Sequence, residues 1–331
     1  MIDSFDYYNP DPNHEVTEYY CSIIIKSLGY FNIEVSSISQ IVEKDNSDKG
    51  IIVVTLRDAL LAKKAKYGYV ITWIQGIEPE EYWLKHSDLC RYVYYSFRES
   101  RALKATDLIL YCSEAMKRHY EKKYFFNSKI DYIMPCFNDE VSLDRSIHQK
   151  ENVFAYAGSL EKWQCFEKTV LLYKSIERHI PNAKMCVYVK DSKTAKELLD
   201  KYEIENYEIA YFNHKDLEYE LKKAKFGFCI RDDIEVNRVA TPTKLSNYIS
   251  LGIIPVYSKC LSSFYNKSKN NPYCVCVDED GWLDKIINIS NMEIDCSELL
   301  QSYSEFYRDY YSKEYHSDKL IQIMQQQEAF K

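Results

Sequence analysis

The first thing this sequence lacks is a long hydrophobic run. No stretch approaches the roughly twenty apolar residues needed to cross a bilayer. The opening Met1–Asp6 is acidic and has no charged segment leading into an apolar one, so no secretory leader is expected there and a cytoplasmic location is. A surplus of positive charge is also missing. Lys and Arg number 43 against 50 Asp and Glu, and the net charge of -7 argues against nucleic acid as the main partner, which needs a dominant basic face. Glycine is scarce, 8 residues against 31 tyrosines, a composition resembling that of a low-GC bacterium. No internal repeat is visible. The eleven cysteines, an odd number, are scattered through apolar segments and read as reduced, buried thiols. Cys274 and Cys276 alternate along one strand-like run, with no second pair or nearby histidine to complete a zinc set.

What is present is a folded chain of two domains. Hydrophobic residues make up 46% and charged residues 28%, and 331 residues suggest two domains at about 150 each. Short β-branched runs, such as 51–56, 69–73 and 108–112, alternate with longer amphipathic stretches, such as the helix expected from His14 to Leu28 between Asn13 and Gly29. This rhythm predicts an α/β protein with two doubly wound, Rossmann-like parallel sheets and a cleft at the carboxyl ends of the strands. Val141 to Asn152 loses periodicity and reads as a linker. The expected domains are 1–145, 146–300 and a helical tail, 301–331, packing back toward the first.

Two segments carry chemistry. In Ala157-Gly158-Ser159-Leu160-Glu161-Lys162-Trp163-Gln164 a strand ends at Gly158 and a helix is expected from near Gln164. Its free N–H groups suit an anion, although a tight turn without a ligand reads equally well. In the second segment a buried strand ends at Arg231. After a polar loop, Thr241 and Pro242 are expected as N-cap and first position of a helix that stops at Gly252. The macrodipole disfavours cations at such an end. Arg231, Arg238 and Lys244 gathered there therefore call for an anion, and a diphosphate satisfies all three. The alternative pairs Arg231 with Asp232 or Asp233 and leaves the lysine in solvent.

These segments resemble the retaining glycosyltransferases of the GT-B fold known as group 1 or family 4. Tyr156-Ala157-Gly158-Ser159-Leu160 looks like the strand and turn that open that family's donor domain. Asn237-Arg238-Val239-Ala240-Thr241-Pro242-Thr243-Lys244-Leu245, running on to Gly252, looks like its nucleotide-sugar loop and helix. Trp73–Glu81 and Ala105–Met116 are similar to first-domain segments, so the resemblance spans about Ile51 to Val256. It implies sugar transfer from a nucleotide-sugar to a glycan, lipid-linked or protein acceptor, with retention and without metal or other cofactor, in bacterial surface polysaccharide or glycoconjugate synthesis. The family's E-x7-E pair is absent, since Val239 and Asn247 stand in those places. Its usual Arg and Lys after the glycine turn are replaced by Ser159 and Gln164, with Lys162 between them.

On this reading Lys244 and Arg231 stabilise the leaving diphosphate, and Gly158, Ser159, Lys162, Arg238, Pro242, Thr243 and Asn247 hold the donor. On the acceptor side stand His14, Gln75 and Glu78, each with a plainer role in a cap or turn. Asp278-Glu279-Asp280 matches a metal-binding Asp-x-Asp formally, but Gly281 follows and the stretch reads as a turn. The basic groups Lys63, Lys64 and Lys66, and Lys117, Arg118, Lys122 and Lys123, either touch anionic lipid at the inner face of a membrane or form solvated helix faces. Two other functions fit the departures: a catalytically weak subunit that binds acceptor for, or activates, a partner transferase, and a nucleotide-sugar epimerase.

Overall fold

The computed structural model describes residues 2–11, 15–29, 32–35, 46–137 and 151–327. Most of the expected linker, up to residue 150, and the Asn13 cap lie outside these residues. The chain forms two compact units: the first takes in described residues up to 137 together with 239–241 and 312–327, and the second takes in 151–238 and 242–311.

In the first unit, strands β1 (Ser4–Tyr8), β2 (Asn32–Val35), β3 (Lys49–Val53), β4 (Tyr69–Ile74), β5 (Leu108–Tyr111) and β6 (Ile130–Ile133) form one sheet in the order β2-β1-β3-β4-β5-β6. Every pairing is parallel. β4 and β5 are buried along their whole length, as strands covered by helices on both faces must be. Helix starts follow side-chain caps legible in the sequence. Thr55, Asp88 and Ser113 each accept from a backbone N–H in the next turn, satisfying one otherwise orphaned donor. Tyr20 stacks on Trp73 at 4.4 Å between ring centroids, and its hydroxyl donates to the Phe137 carbonyl at 2.5 Å. The helix Lys313–Gln325 belongs to this unit, and its buried His316 bonds through Nδ1 to the Tyr132 hydroxyl at 2.7 Å.

In the second unit, β7 (Val153–Ala157), β8 (Lys184–Tyr188), β9 (Tyr207–Ala210), β10 (Phe226–Cys229), β11 (Ile254–Tyr257) and β12 (Val275–Cys276) run parallel in the order β12-β11-β10-β7-β8-β9. Counted from its own first strand this is the 3-2-1-4-5-6 order of a dinucleotide-binding fold. The winding reverses between β7 and β10. A crevice at such a reversal, outside the carboxyl ends of the strands, is where ligands bind in this architecture.

Two expected helix starts differ from what is observed. The first helix after β7 begins at Phe166, because Lys162–Gln164 form a 3-10 turn and Cys165 takes the left-handed conformation, φ 52. The later helix begins at Thr243, so Pro242 is its N-cap and supplies no side-chain bond. The Thr241 hydroxyl instead accepts from the Cys136 backbone N–H at 2.9 Å.

The helix Thr243–Ser250 lies close against β10 because Gly227 has no side chain. A Cβ there would meet the Tyr248 ring at 2.7 Å, and the Tyr248 hydroxyl donates to the Phe228 carbonyl at 3.1 Å. Gly227→Ala is therefore expected to destabilise the second unit by about 1–3 kcal/mol through overpacking. In urea melts, adding Tyr248→Leu should recover part of that loss, so that the double substitution costs less than the two singly.

Candidate functional site

The reversal point of the second sheet gathers side chains from three segments. Gly158 ends β7, Arg231 follows β10, and Lys244 projects from the first turn of Thr243–Ser250. Between them stands Gln164, on the 3-10 turn after Gly158. Buried Arg231 donates through Nη2 to Gln164 Oε1 at 2.5 Å, and through Nη1 to the Gln164 carbonyl at 3.1 Å and the Ile230 carbonyl at 2.9 Å. Lys244 Nζ donates to the same Oε1 at 3.0 Å and lies 5.0 Å from the centroid of the Tyr156 ring. The Arg231 N–H is fixed to Ser258 Oγ at 2.9 Å.

Two cations thus share one neutral oxygen. Among the described residues no carboxylate pairs with either. Asp232 and Asp233 do not neutralise Arg231, because Lys168 takes Asp232 at 3.1 Å and Arg238 takes Asp233 at 2.6 Å. Lys244 as a residue is half-buried, but its ammonium is enclosed beside Tyr156, Gly158 and Gln164. Burial, with the like charge of Arg231 second, pushes its pKa down to about 7. Gly158 makes the approach possible: a Cβ at that position would sit 2.9 Å from Lys244 Nζ. The chemistry on offer is a preorganised, positively charged cradle for an anion at a parallel sheet's carboxyl edge.

No protein-family model and no curated protein matches this chain. Solved structures do. HepE from Anabaena, in complex with UDP, is similar at 10% identity over 99% of this chain and 100% of that one, with a TM-score of 0.67. An S. aureus TarM mutant in complex with fondaparinux, alpha-GlcNAc-glycerol and UDP is similar at 10% identity and a TM-score of 0.64, over 86% of this chain. The present chain spans 58% of the length of that TarM chain. The E. coli trehalose-6-phosphate protein bound with UDP-2-fluoro glucose is similar at 11% identity and a TM-score of 0.61, over 93% of this chain and 78% of that one.

The chain has the GT-B fold.

Within the second GT-B unit, Ser159 is exposed, and its carbonyl accepts from the Tyr156 hydroxyl at 2.7 Å. Gly158 and Ser159 line a cavity of about 310 Å³ together with Tyr188, Asp191, Tyr211 and Leu217, at the ends of β7, β8 and β9. Lys162 is exposed on the 3-10 turn. Asn247 is half-buried on the same short helix as Thr243 and Lys244. Arg238 does not join the cationic pair: it is exposed and held by Asp233 and, at 3.3 Å, Glu235. Asp278 and Glu279 shape a turn as expected, accepting from the Lys259 N–H and the Tyr265 hydroxyl. Among the described residues no group of three or more His, Cys, Asp or Glu is placed to hold a metal ion.

In the first GT-B unit, Gln75 and Glu78 line a second cavity of about 370 Å³ after β3 and β4, with Arg57, Glu81 and Glu99. Arg98 holds Glu78 at 2.6 Å. His14 lies outside the described residues. Lys63, Lys64 and Lys66 are exposed, whereas Lys117 is tied to Asp131 and Lys123 to Glu80 and Glu99. Sequence reasoning placed Arg231, Arg238 and Lys244 at one anion with Gly158 beside it, but gave Gln164 and Tyr156 no role at the cations. Neither residue carries a charge, and the one local signal was the position of Gln164 just past the glycine turn.

An anion arriving at the cradle favours protonated Lys244. Above pH 7 the free lysine is largely neutral, so binding must take up a proton and weaken as pH rises. The affinity for sulfate, which does not itself titrate in this range, should fall by up to about tenfold per pH unit from pH 7 to 9. Calorimetry in two buffers of different ionisation enthalpy should show proton uptake at pH 8, and Lys244→Met should remove both effects.

Proposed function

We propose that this protein is a glycosyltransferase that takes its sugar from a nucleotide-sugar donor bound by the second unit. The observation that carries this reading is the pair Arg231 and Lys244 sharing Gln164 Oε1 at the switch point between β7 and β10. A nucleoside diphosphate leaves with growing negative charge as the sugar carbon becomes oxocarbenium-like. Fixed cations in a partly dry site stabilise that charge more than water would, and they need no reorganisation when the bond breaks. Gln164 serves as a placeholder: its oxygen holds both cations in position until phosphate oxygens replace it. In this scheme the charge comes from side chains rather than from a metal.

The cavity beside Gly158 and Ser159 is the proposed seat of the base and ribose, with Tyr188, Tyr211 and Leu217 as its apolar walls. Asn247 is assigned to a ribose hydroxyl, and Lys162, Pro242 and Thr243 to the outer side of the donor. HepE and TarM were each solved with UDP, which makes a uridine nucleotide the first to test. The acceptor is assigned to the cavity of Gln75 and Glu78, and the setting to cytoplasmic synthesis of a bacterial glycan. Retention of configuration is part of the proposal. Asn247 and Gln164, standing where the resembling family carries charged residues, favour one other reading: a subunit that binds donor or acceptor and turns over slowly.

A thermal-shift series with UDP, GDP, CDP and ADP and their sugar conjugates tests the proposal. One base should stabilise the protein by about 2.7 kcal/mol at a hundred times its dissociation constant. Lys244→Ala should remove that stabilisation and lower donor hydrolysis or transfer at least about a hundredfold, while leaving the unfolding transition of the free protein within about 1 kcal/mol of the original. Stabilisation by a nucleotide with no turnover of its sugar conjugate would favour the binding subunit. No response to any nucleotide would end the donor assignment.

A further inference from the structure

We infer that the helix Leu89–Ala105 of the first unit is a membrane-docking surface that lies in the headgroup layer of an anionic bilayer. This helix has two faces of unlike chemistry. One, with Tyr95, Glu99, Ala102 and Leu103, turns toward its own unit, where Glu99 is buried among the Tyr120 and Tyr124 hydroxyls and Lys123. The other presents Leu89, Val93, Tyr94 and Phe97 at 62%, 57%, 60% and 63% exposure, with exposed Cys90 among them. These residues recur at the three- and four-residue spacing that keeps side chains on one stripe. Four large apolar side chains more than half exposed on adjacent turns form a patch, not the scattered single residues of an ordinary surface.

The charges on this helix identify the occupant. Every exposed charged side chain from Leu89 to Ala105 is cationic: Arg91, Arg101 and Lys104. The helix's one carboxylate, Glu99, is buried, and Asp88 before it caps the Arg91 N–H and pairs with the Arg91 guanidinium at 3.8 Å, so Arg101 and Lys104 are the outward cations with no ion pair among the described residues. Such segregation is unexpected in a chain of net charge -7. Cations also lie over the outward rings: the guanidinium carbon of Arg101 is 5.8 Å from the Phe97 centroid, and that of Arg98, itself paired with Glu78, is 5.8 Å from the Tyr94 centroid. An apolar stripe bordered by Arg and Lys that lie along it and reach outward is the arrangement that buries rings at the acyl boundary and sets cations among phosphates. Trp83, on the helix Glu78–His86, adds a further partly exposed ring next to Tyr92, at 6.0 Å. An acidic protein surface would pair with the cations but leave the apolar stripe uncovered, and an apolar one would cover the stripe but leave the cations unpaired, whereas an anionic bilayer meets both. The lysine groups singled out in the sequence are weaker candidates, since Lys117 and Lys123 are ion-paired.

Vesicle flotation tests this directly. The full chain should float with phosphatidylcholine vesicles containing 30 mol% phosphatidylglycerol, and should stay behind with phosphatidylcholine alone or in 0.5 M salt, which screens charge to within a few ångströms. Val93→Asp with Phe97→Asp should abolish flotation. Arg101→Glu alone should weaken it about thirtyfold, because each unit of charge near an anionic surface is worth about a factor of five and the reversal changes two. Both variants alter exposed side chains, and an unchanged melting temperature would confirm their folding. Flotation by these variants equal to the parent, or no flotation of the parent, overturns the inference. If the parent instead forms a concentration-dependent dimer that Phe97→Asp dissociates, a second copy covers the face and the bilayer assignment is wrong. None of these readings depends on the donor assignment, which the nucleotide series tests by itself.

Discussion

Two basic side chains held by one neutral oxygen, both charged only once Lys244 is protonated, form the constraint around which the second unit is organised. Arg231 and Lys244 repel each other, and Gln164 can satisfy their hydrogen bonds but not their charge. The surrounding structure must then hold them in place. Arg231 is anchored through its N–H to Ser258, and through its side chain to the carbonyls of Gln164 and Ile230. Lys244 is anchored by its helix, and that helix by Tyr248 lying on Gly227. Placing a partly desolvated ammonium next to a guanidinium costs stability, and the compensation comes from packing at a distance: the stacked Phe154 and Phe226 rings at 4.5 Å and the fully buried strands β7 and β10.

The same constraint accounts for the glycines at the site. Here two of the chain's eight glycines stand where atoms from another element approach the backbone closely. Gly158 leaves room for the Lys244 ammonium, and Gly227 for the Tyr248 ring. Acidic residues follow the complementary rule. Asp232 and Asp233 lie one and two residues from Arg231, yet the loop turns them to Lys168 and Arg238, which keeps the cradle positive. Arg238 is thereby an electrostatic partner of its own loop, through Asp233 and Glu235.

The two units use related sheets for different ends. In the second, the 3-2-1-4-5-6 winding puts its reversal, its glycine turn and its cations at one edge. In the first, the strand order β2-β1-β3-β4-β5-β6 leaves a cavity after β3 and β4 whose polar lining includes the carboxylates of Glu78, Glu81 and Glu99 and the Gln75 amide, with Arg57 as the one cation among its lining residues. That unit's helix Leu89–Ala105 then carries charge of the opposite sign outward, beside an apolar stripe.

By itself the sequence determined the alternation of parallel strands and helices, because buried β-branched runs and capped amphipathic helices differ in period and depend on local physics. It also pointed to Arg231, Arg238 and Lys244 as a cationic group near a glycine turn, since they stand at strand and helix ends where backbone donors and a missing side chain favour an anion. The tertiary structure decided what such local signals cannot. It separated Arg238 from the pair, because ion pairing depends on where a loop turns and not on spacing along it. It moved one helix start past Gln164, making an uncharged glutamine the shared acceptor, and another past Pro242, with the Thr241 hydroxyl bonded to Cys136. It also turned the stripe from Leu89 to Phe97 outward, where the sequence pattern alone would have fitted a buried face equally well. Which side of an amphipathic helix meets its own core depends on its neighbours, and only the assembled fold supplies them.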